Sequence, residues 1–157
     1  IPEKNSEESF LTEKLSRIKK HESRIMEMTN TSHLKIKSFT DLNAWKEGHQ
    51  LVLTVYDLTR RFPKEEQFGL INQIRRASVS ITSNIAEGFS RSSYKEKSQF
   101  YSMALGSLTE VQNQLLIARD LNYISESEFR KLAEKTVIVN KLLNGLIKKS
   151  KTMIHDS

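Results

Sequence analysis

The chain has no cysteine among its 157 residues, only two prolines, five glycines and a single tryptophan. Without cysteine, neither a disulfide framework nor a thiolate metal site can form. So few prolines and glycines leave little to interrupt long helices. No apolar run approaches the roughly 20 residues that a membrane span needs, so no membrane partner is expected. No segment combines a charged start with an apolar centre in the manner of an export signal, and a reducing, cytoplasmic setting fits these absences. The length suits one domain with a proper core.

What is present is charge and helical periodicity. Lysine and arginine number 25 against 19 acids, giving a net charge of +6. A basic balance of this kind suggests acidic partners, nucleic acid foremost. Residues 1–28 carry six basic and six acidic side chains, and residues 29–59 three of each. Residues 60–97 carry eight basic and four acidic ones. The excess therefore begins at Arg60 and gathers around one helix.

That helix covers Gln73 to Arg91. Ile71, Ile74, Ser78, Ile81, Ile85 and Gly88 recur in alternating steps of three and four, the seam of a helix packed on other helices. Small side chains lie between them and allow a neighbouring backbone to come close. About a quarter turn away runs a polar ridge of Arg76, Ser80, Ser83, Glu87 and Arg91. Short hydroxyls between charged ends suit a surface that meets a partner. The ridge, with Asn84 beside it, is the expected oligomer interface.

The remaining helices follow the same logic. The first core helix is predicted over about Asp41–Arg61, capped by Thr40 or Asp41 and ended by Pro63. Leu51, Val55, Leu58 and Phe62 form its apolar face, extended by Leu42, Trp45, Val52 and Tyr56. Trp45 reads as a core anchor rather than a stacking platform for bases, and His49 as a packed histidine rather than a ligand. The second helix starts between Pro63 and Leu70 and ends near Ser90. Ser93 with Glu96, and Ser125 with Glu128, form capping boxes for helices over Tyr94–Asp120 and from Ser125 to about Lys149. Their seams are Tyr101, Ala104, Leu108, Val111, Leu115, Ala118 and Phe129, Leu132, Thr136, Val139, Leu143, Leu146. Phe100, Met103, Leu105 and Leu116 widen the former. Regular seams with short connections predict an all-α, antiparallel up-down four-helix bundle with neighbours crossing at about 20°.

Residues 1–35 are an expected N-terminal extension, 36–150 the bundle and 151–157 a tail. A helix is predicted over 6–28 from Leu11, Leu15, Ile18 and Ile25, followed by a polar linker at Thr29–Ser32. Ile1 is not a natural initiator. The working protein is expected to begin at Met26 or Met28, with the first 25 residues as a mobile extension. The alternative is a fifth helix that docks on the bundle or on a partner.

Several motifs carry a family resemblance. They are Phe39-Thr40-Asp41-Leu42 with Trp45-Lys46, Phe62-Pro63-Lys64-Glu65, Gln73 to Ala77, Ser83-Asn84-Ile85-Ala86-Glu87-Gly88, and Ala104 to Glu110. Together they resemble the 23S rRNA intervening-sequence proteins, bacterial four-helix-bundle proteins, over about Lys37–Lys149. The resemblance implies a ring-like homo-pentamer of bundles without enzymatic activity. It also implies similarity in fold to basic pentamers that act beside reverse transcriptases.

The residues agree on chemistry. No zinc-protease, phosphate-loop or dinucleotide motif occurs, and His21, His33, His49 and His155 lie far apart. Glu87 and Glu110 are the acids expected to face inward or toward a subunit boundary, with Glu87 pairing Arg91 or an arginine across an interface rather than binding metal. Ser80 and Ser83 have no adjacent base. No catalytic residue, metal or cofactor is expected. Arg60, Arg61, Arg75, Arg76, Arg91, Lys95 and Lys97 are the candidate phosphate contacts, with Arg75, Lys95 and Lys97 as freer basic surface. RNA or another nucleic acid, read through its backbone, is the expected partner. A protein-interaction scaffold, for instance for a reverse transcriptase, is the alternative.

Overall fold

A computed structural model describes the backbone of residues 4–30 and 35–155, and the side chains of 12–26 and 35–155. All regular elements among these residues are helical. Residues 1–36 and 37–157 form two separate compact units. The first contains α1, Lys4–Asn30. Leu15 and Ile18 on it are exposed, and Arg17 pairs with Glu13 one turn away at 2.7 Å. Thr29 and Asn30, expected as linker, complete this helix. Residues 31–34, with His33, lie outside the described residues.

The second unit is the predicted bundle. It comprises α2 (Asn43–Thr59), α3 (Leu70–Ser90), α4 (Tyr94–Asp120) and α5 (Glu126–His155). α3 packs on α2 and α4, and α5 on α4 and α2, so the four close into a ring. The connections are short, which makes consecutive helices antiparallel.

The seams read from the sequence form the core. Ile74, Ile81 and Ile85 on α3, Ala104, Leu108 and Val111 on α4, Val139 and Leu143 on α5, and Leu51 and Val55 on α2 are fully buried. Trp45 is half-buried against this core and stacks on His49 with ring centroids 4.7 Å apart. Three expected core residues are exposed instead: Tyr56, Met103 and Leu116. Each lies at the edge of its seam, where the ring of four helices offers no further neighbour to cover it. Gly88 is buried against α4. A β-carbon there would meet Tyr101 Cε1 at 2.8 Å and Phe100 Cβ at 3.0 Å.

The helix ends differ more from expectation. Asp41 does not cap α2, which starts two residues later behind Leu42 with no side-chain cap. Its carboxylate turns back and accepts from the Lys37 and Ser38 amides at 2.9 and 3.0 Å, bracing a single 3-10 turn over Phe39–Asp41. These backbone donors hold the Asp41 carboxyl below the usual carboxylate range. α3 is capped by Glu66, whose carboxylate accepts from the Leu70 amide at 2.9 Å and the Tyr123 hydroxyl at 3.1 Å. That hydroxyl comes from the α4–α5 turn, so one acid ties two turns together.

Ser125 and Glu128 form the expected capping box: the Glu128 amide donates to the Ser125 hydroxyl at 3.1 Å, and the Ser125 amide to the Glu128 carboxylate at 2.9 Å. Arg61, at the end of α2, also donates to Glu128 at 2.5 Å. The Ser125 amide first, then Arg61, lower the Glu128 carboxyl below its ordinary value. α5 then runs past the expected end at Lys149 as far as His155, so most of the expected tail is helix.

Two predictions follow from these contacts. Gly88→Ala is expected to lower the unfolding temperature, because overpacking of about 1–3 kcal/mol exceeds the roughly 1 kcal/mol gained in helix propensity. Glu128 is ionised in the folded chain where the unfolded chain already takes up protons, near an ordinary pKa of about 4.3. Its contribution is complete above that value and is lost as pH falls through the depressed folded-state value. Thermal unfolding measured from about pH 5 to pH 3 is expected to fall less steeply in Glu128→Gln than in the parent chain.

Candidate nucleic-acid and subunit interface

The ridge of α3 divides into two parts. Ser80, Asn84 and Arg91 turn toward the α3–α4 groove. The Ser80 and Ser107 hydroxyls share a hydrogen bond at 2.9 Å across the two helices. The Asn84 amide donates to the Ser80 carbonyl at 2.9 Å and hydroxyl at 3.1 Å. Arg91 lies over the Phe100 ring, 4.8 Å from its centroid, and pairs with Glu87 one turn back. Its Nε is buried without a partner. Arg76, Ser83 and Glu87 remain exposed. Part of the ridge thus holds α3 on α4 within one chain, and Arg76 and Ser83 are left exposed.

The basic residues separate in the same way. Arg75 and Lys97, read from the sequence as free surface, are engaged. The Arg75 Nε–H donates to the Thr59 hydroxyl at 2.8 Å, and its guanidinium lies over the Tyr56 ring at 4.7 Å. Thr59 is buried, and its own hydroxyl donates to the Val55 carbonyl at 2.8 Å. Arg75 therefore clamps α3 to α2. The Lys97 ammonium donates to the Phe89 carbonyl at 2.6 Å and the Gly88 carbonyl at 3.4 Å. It satisfies carbonyls that the end of α3 leaves open, and burial pushes its pKa down. Spacing along one helix could not show either contact, because each partner lies on a different helix.

Arg61 is committed to Glu128, while Arg60 stands 3.9 Å from Asp57 in an exposed, weak pair. Arg76 and Lys95 are exposed. Neither has an ion pair or hydrogen bond among the described residues. Among the seven sequence candidates, these two and Arg60 are the ones open to an incoming phosphate.

The acids do not gather. Glu87 and Glu110 are both exposed rather than inward-facing, because the buried seams beside them are filled by apolar side chains. Among the described residues no three acidic or histidine side chains converge on a common point. No described helix is long and apolar enough to cross a membrane.

The 23S rRNA-intervening sequence protein model matches residues 40–145. The chain belongs to that family. Its matched stretch spans α2, α3, α4 and most of α5. A solved structure of similar fold is a protein of unknown function of the S23 ribosomal protein family from Bacteroides thetaiotaomicron. It is 21% identical, with a TM-score of 0.61 over 67% of this chain and 98% of its own. A comparison with curated proteins finds no match. In this family member, Lys97→Ala is expected to lower stability by about 0.5–1 kcal/mol, the scale of a cation at a helix C-terminus. Chemical denaturation is the check, with a shifted midpoint and an unchanged slope.

Proposed function

We propose that this chain is a non-enzymatic, nucleic-acid-binding subunit of a ring-like homo-oligomer, a pentamer by its family resemblance. The observation that carries this reading is the surplus of cations over carboxylates, with Arg76 and Lys95 left open on the surface. Five subunits at +6 each would sum to +30, a field strong enough to attract a polyanion. The contacts are to phosphates rather than base edges, since lysine and arginine here are not interleaved with aromatic readers.

Two features support self-association. Leu53, Tyr56, Val79, Met103 and Ile117 are large apolar side chains left exposed by a single bundle. Gly106 lies midway along α4, is exposed, and has nothing within 4 Å of the position a β-carbon would take. A glycine in an exposed helix interior costs about 1 kcal/mol against alanine, and the close approach of a second subunit accounts for keeping it.

Nucleic-acid binding is tested by fluorescence anisotropy of a labelled single-stranded RNA across a potassium chloride series. With about five phosphates neutralised, log affinity is expected to fall with a slope of about −3.5 against log salt. Absence of binding at low salt overturns the nucleic-acid reading and favours a scaffold whose partner is a protein. Assembly is tested with Ser83→Leu. Ser83 is exposed, so the bundle itself tolerates leucine. Overpacking of about 1–3 kcal/mol per site is expected to reduce the oligomer mass in light scattering, and an unchanged mass overturns the placement of the interface.

A further inference from the structure

α5 changes character along its length. Between Lys135 and His155 there are five lysines and no acid: Lys135, Lys141, Lys148, Lys149 and Lys151. Lys141, Asn144, Lys148, Lys151 and His155 follow one another in steps of three, four, three and four. That spacing sets them on a single stripe. All five are exposed. At 1.5 Å per residue the stripe is about 21 Å long. Its second half borders a shallow groove of about 440 Å³ lined by Asn144, Ile147, Lys148, Lys151, Thr152 and His155.

We infer that this stripe is the principal phosphate-binding surface of the protein, taking the backbone of a nucleic-acid strand laid along α5. The inference rests on the nucleic-acid reading above and assigns it a place. Three observations carry it. First, five of the seven arginines in the bundle stand beside acids: Arg60 by Asp57, Arg61 by Glu128, Arg91 by Glu87, Arg119 by Asp120 and Arg130 by Glu126. No residue three or four positions from Lys141, Lys148 or Lys151 is acidic, and among the described residues these lysines form no ion pair.

Second, the helix dipole does not account for them. Its pull on cations fades within the last turn, and Lys141 and Lys148 lie before it. Third, the adjoining face of the same segment is occupied: Leu143, Ile147 and Ser150 are buried. The stripe is therefore held on a rigid bundle. A membrane-surface helix, by contrast, needs a free apolar face. Asn144 adds a polar group between the lysines, steadied by its amide donating to Asn140 Oδ1 at 2.8 Å. The matched family region ends at residue 145, so Lys148, Lys151 and His155 lie beyond it.

The full chain is compared with Lys148→Gln/Lys151→Gln and with Lys148→Arg/Lys151→Arg. Labelled oligouridylate and a labelled DNA duplex serve as probes, over a potassium chloride series. Losing two phosphate contacts is expected to flatten the log–log salt slope by about 1.4 for the single strand or about 1.8 for the duplex. The probe that shows its change identifies the strand form bound. The arginine variant is expected to keep the parent slope, and circular dichroism to show all three chains equally helical. A parent chain that binds while the glutamine variant keeps its slope overturns the α5 surface alone. A parent chain that binds neither probe overturns the nucleic-acid reading and this inference with it.

Discussion

The close seating of α3 on α4 is the constraint on which the bundle depends. It requires small or absent side chains where the two helices meet. Gly88 leaves room for the Tyr101 ring, and Ser80 meets Ser107 through their hydroxyls. Ala77, Ser78, Ala104 and Ala118 are buried near the same seam. With little volume between them, the two backbones approach and the larger side chains, Ile81, Ile85, Leu108 and Val111, fill the centre of the ring. Packing of this density tolerates neither a void nor an extra methyl group. α2 and α5 complete the ring, α2 packing on α3 and α5 on α4 and α2.

Electrostatics is layered on this frame in two distinct roles. Near the helix ends, charged groups act as ties. Glu66 joins the start of α3 to Tyr123, Glu128 joins the cap of α5 to Arg61, and Lys97 covers the last carbonyls of α3. These groups are partly shielded and their hydrogen bonds are made within the chain, so they are not available to a ligand. Farther out, Arg76, Lys95 and, on α5, Lys141, Lys148 and Lys151 are exposed and form no ion pair among the described residues. The net charge of +6 therefore overstates what α3 can offer a polyanion and understates what α5 can. A rigid bundle with its ties internal and exposed cations concentrated toward the end of α5 suits backbone binding, where affinity comes from charge density rather than from shape-specific pockets.

The core and the helix count were legible in the sequence because seams and caps are local. A residue's place in a step of three or four depends only on its own helix. The buried isoleucines of α3 and the boundaries of α4 follow from that alone, as does the Ser125–Glu128 box. The lysines of α5 were equally visible. The acids of residues 110–134 mask them in any net charge taken over the last third of the chain, whereas residues 135–155 hold five lysines and no acid.

What one strand of sequence could not contain is which neighbouring helix a side chain meets. Arg75 and Lys97 look like open surface along their own helices, yet Thr59 and the end of α3 claim them. Asp41 looks like a cap for the helix after it and instead braces the turn before it. The sequence by itself determined the periodicity, and with it the fold and the buried face of each core helix. Only the tertiary structure decided which charges are spent inside the molecule and which are left over, because that depends on distances between segments far apart in the chain.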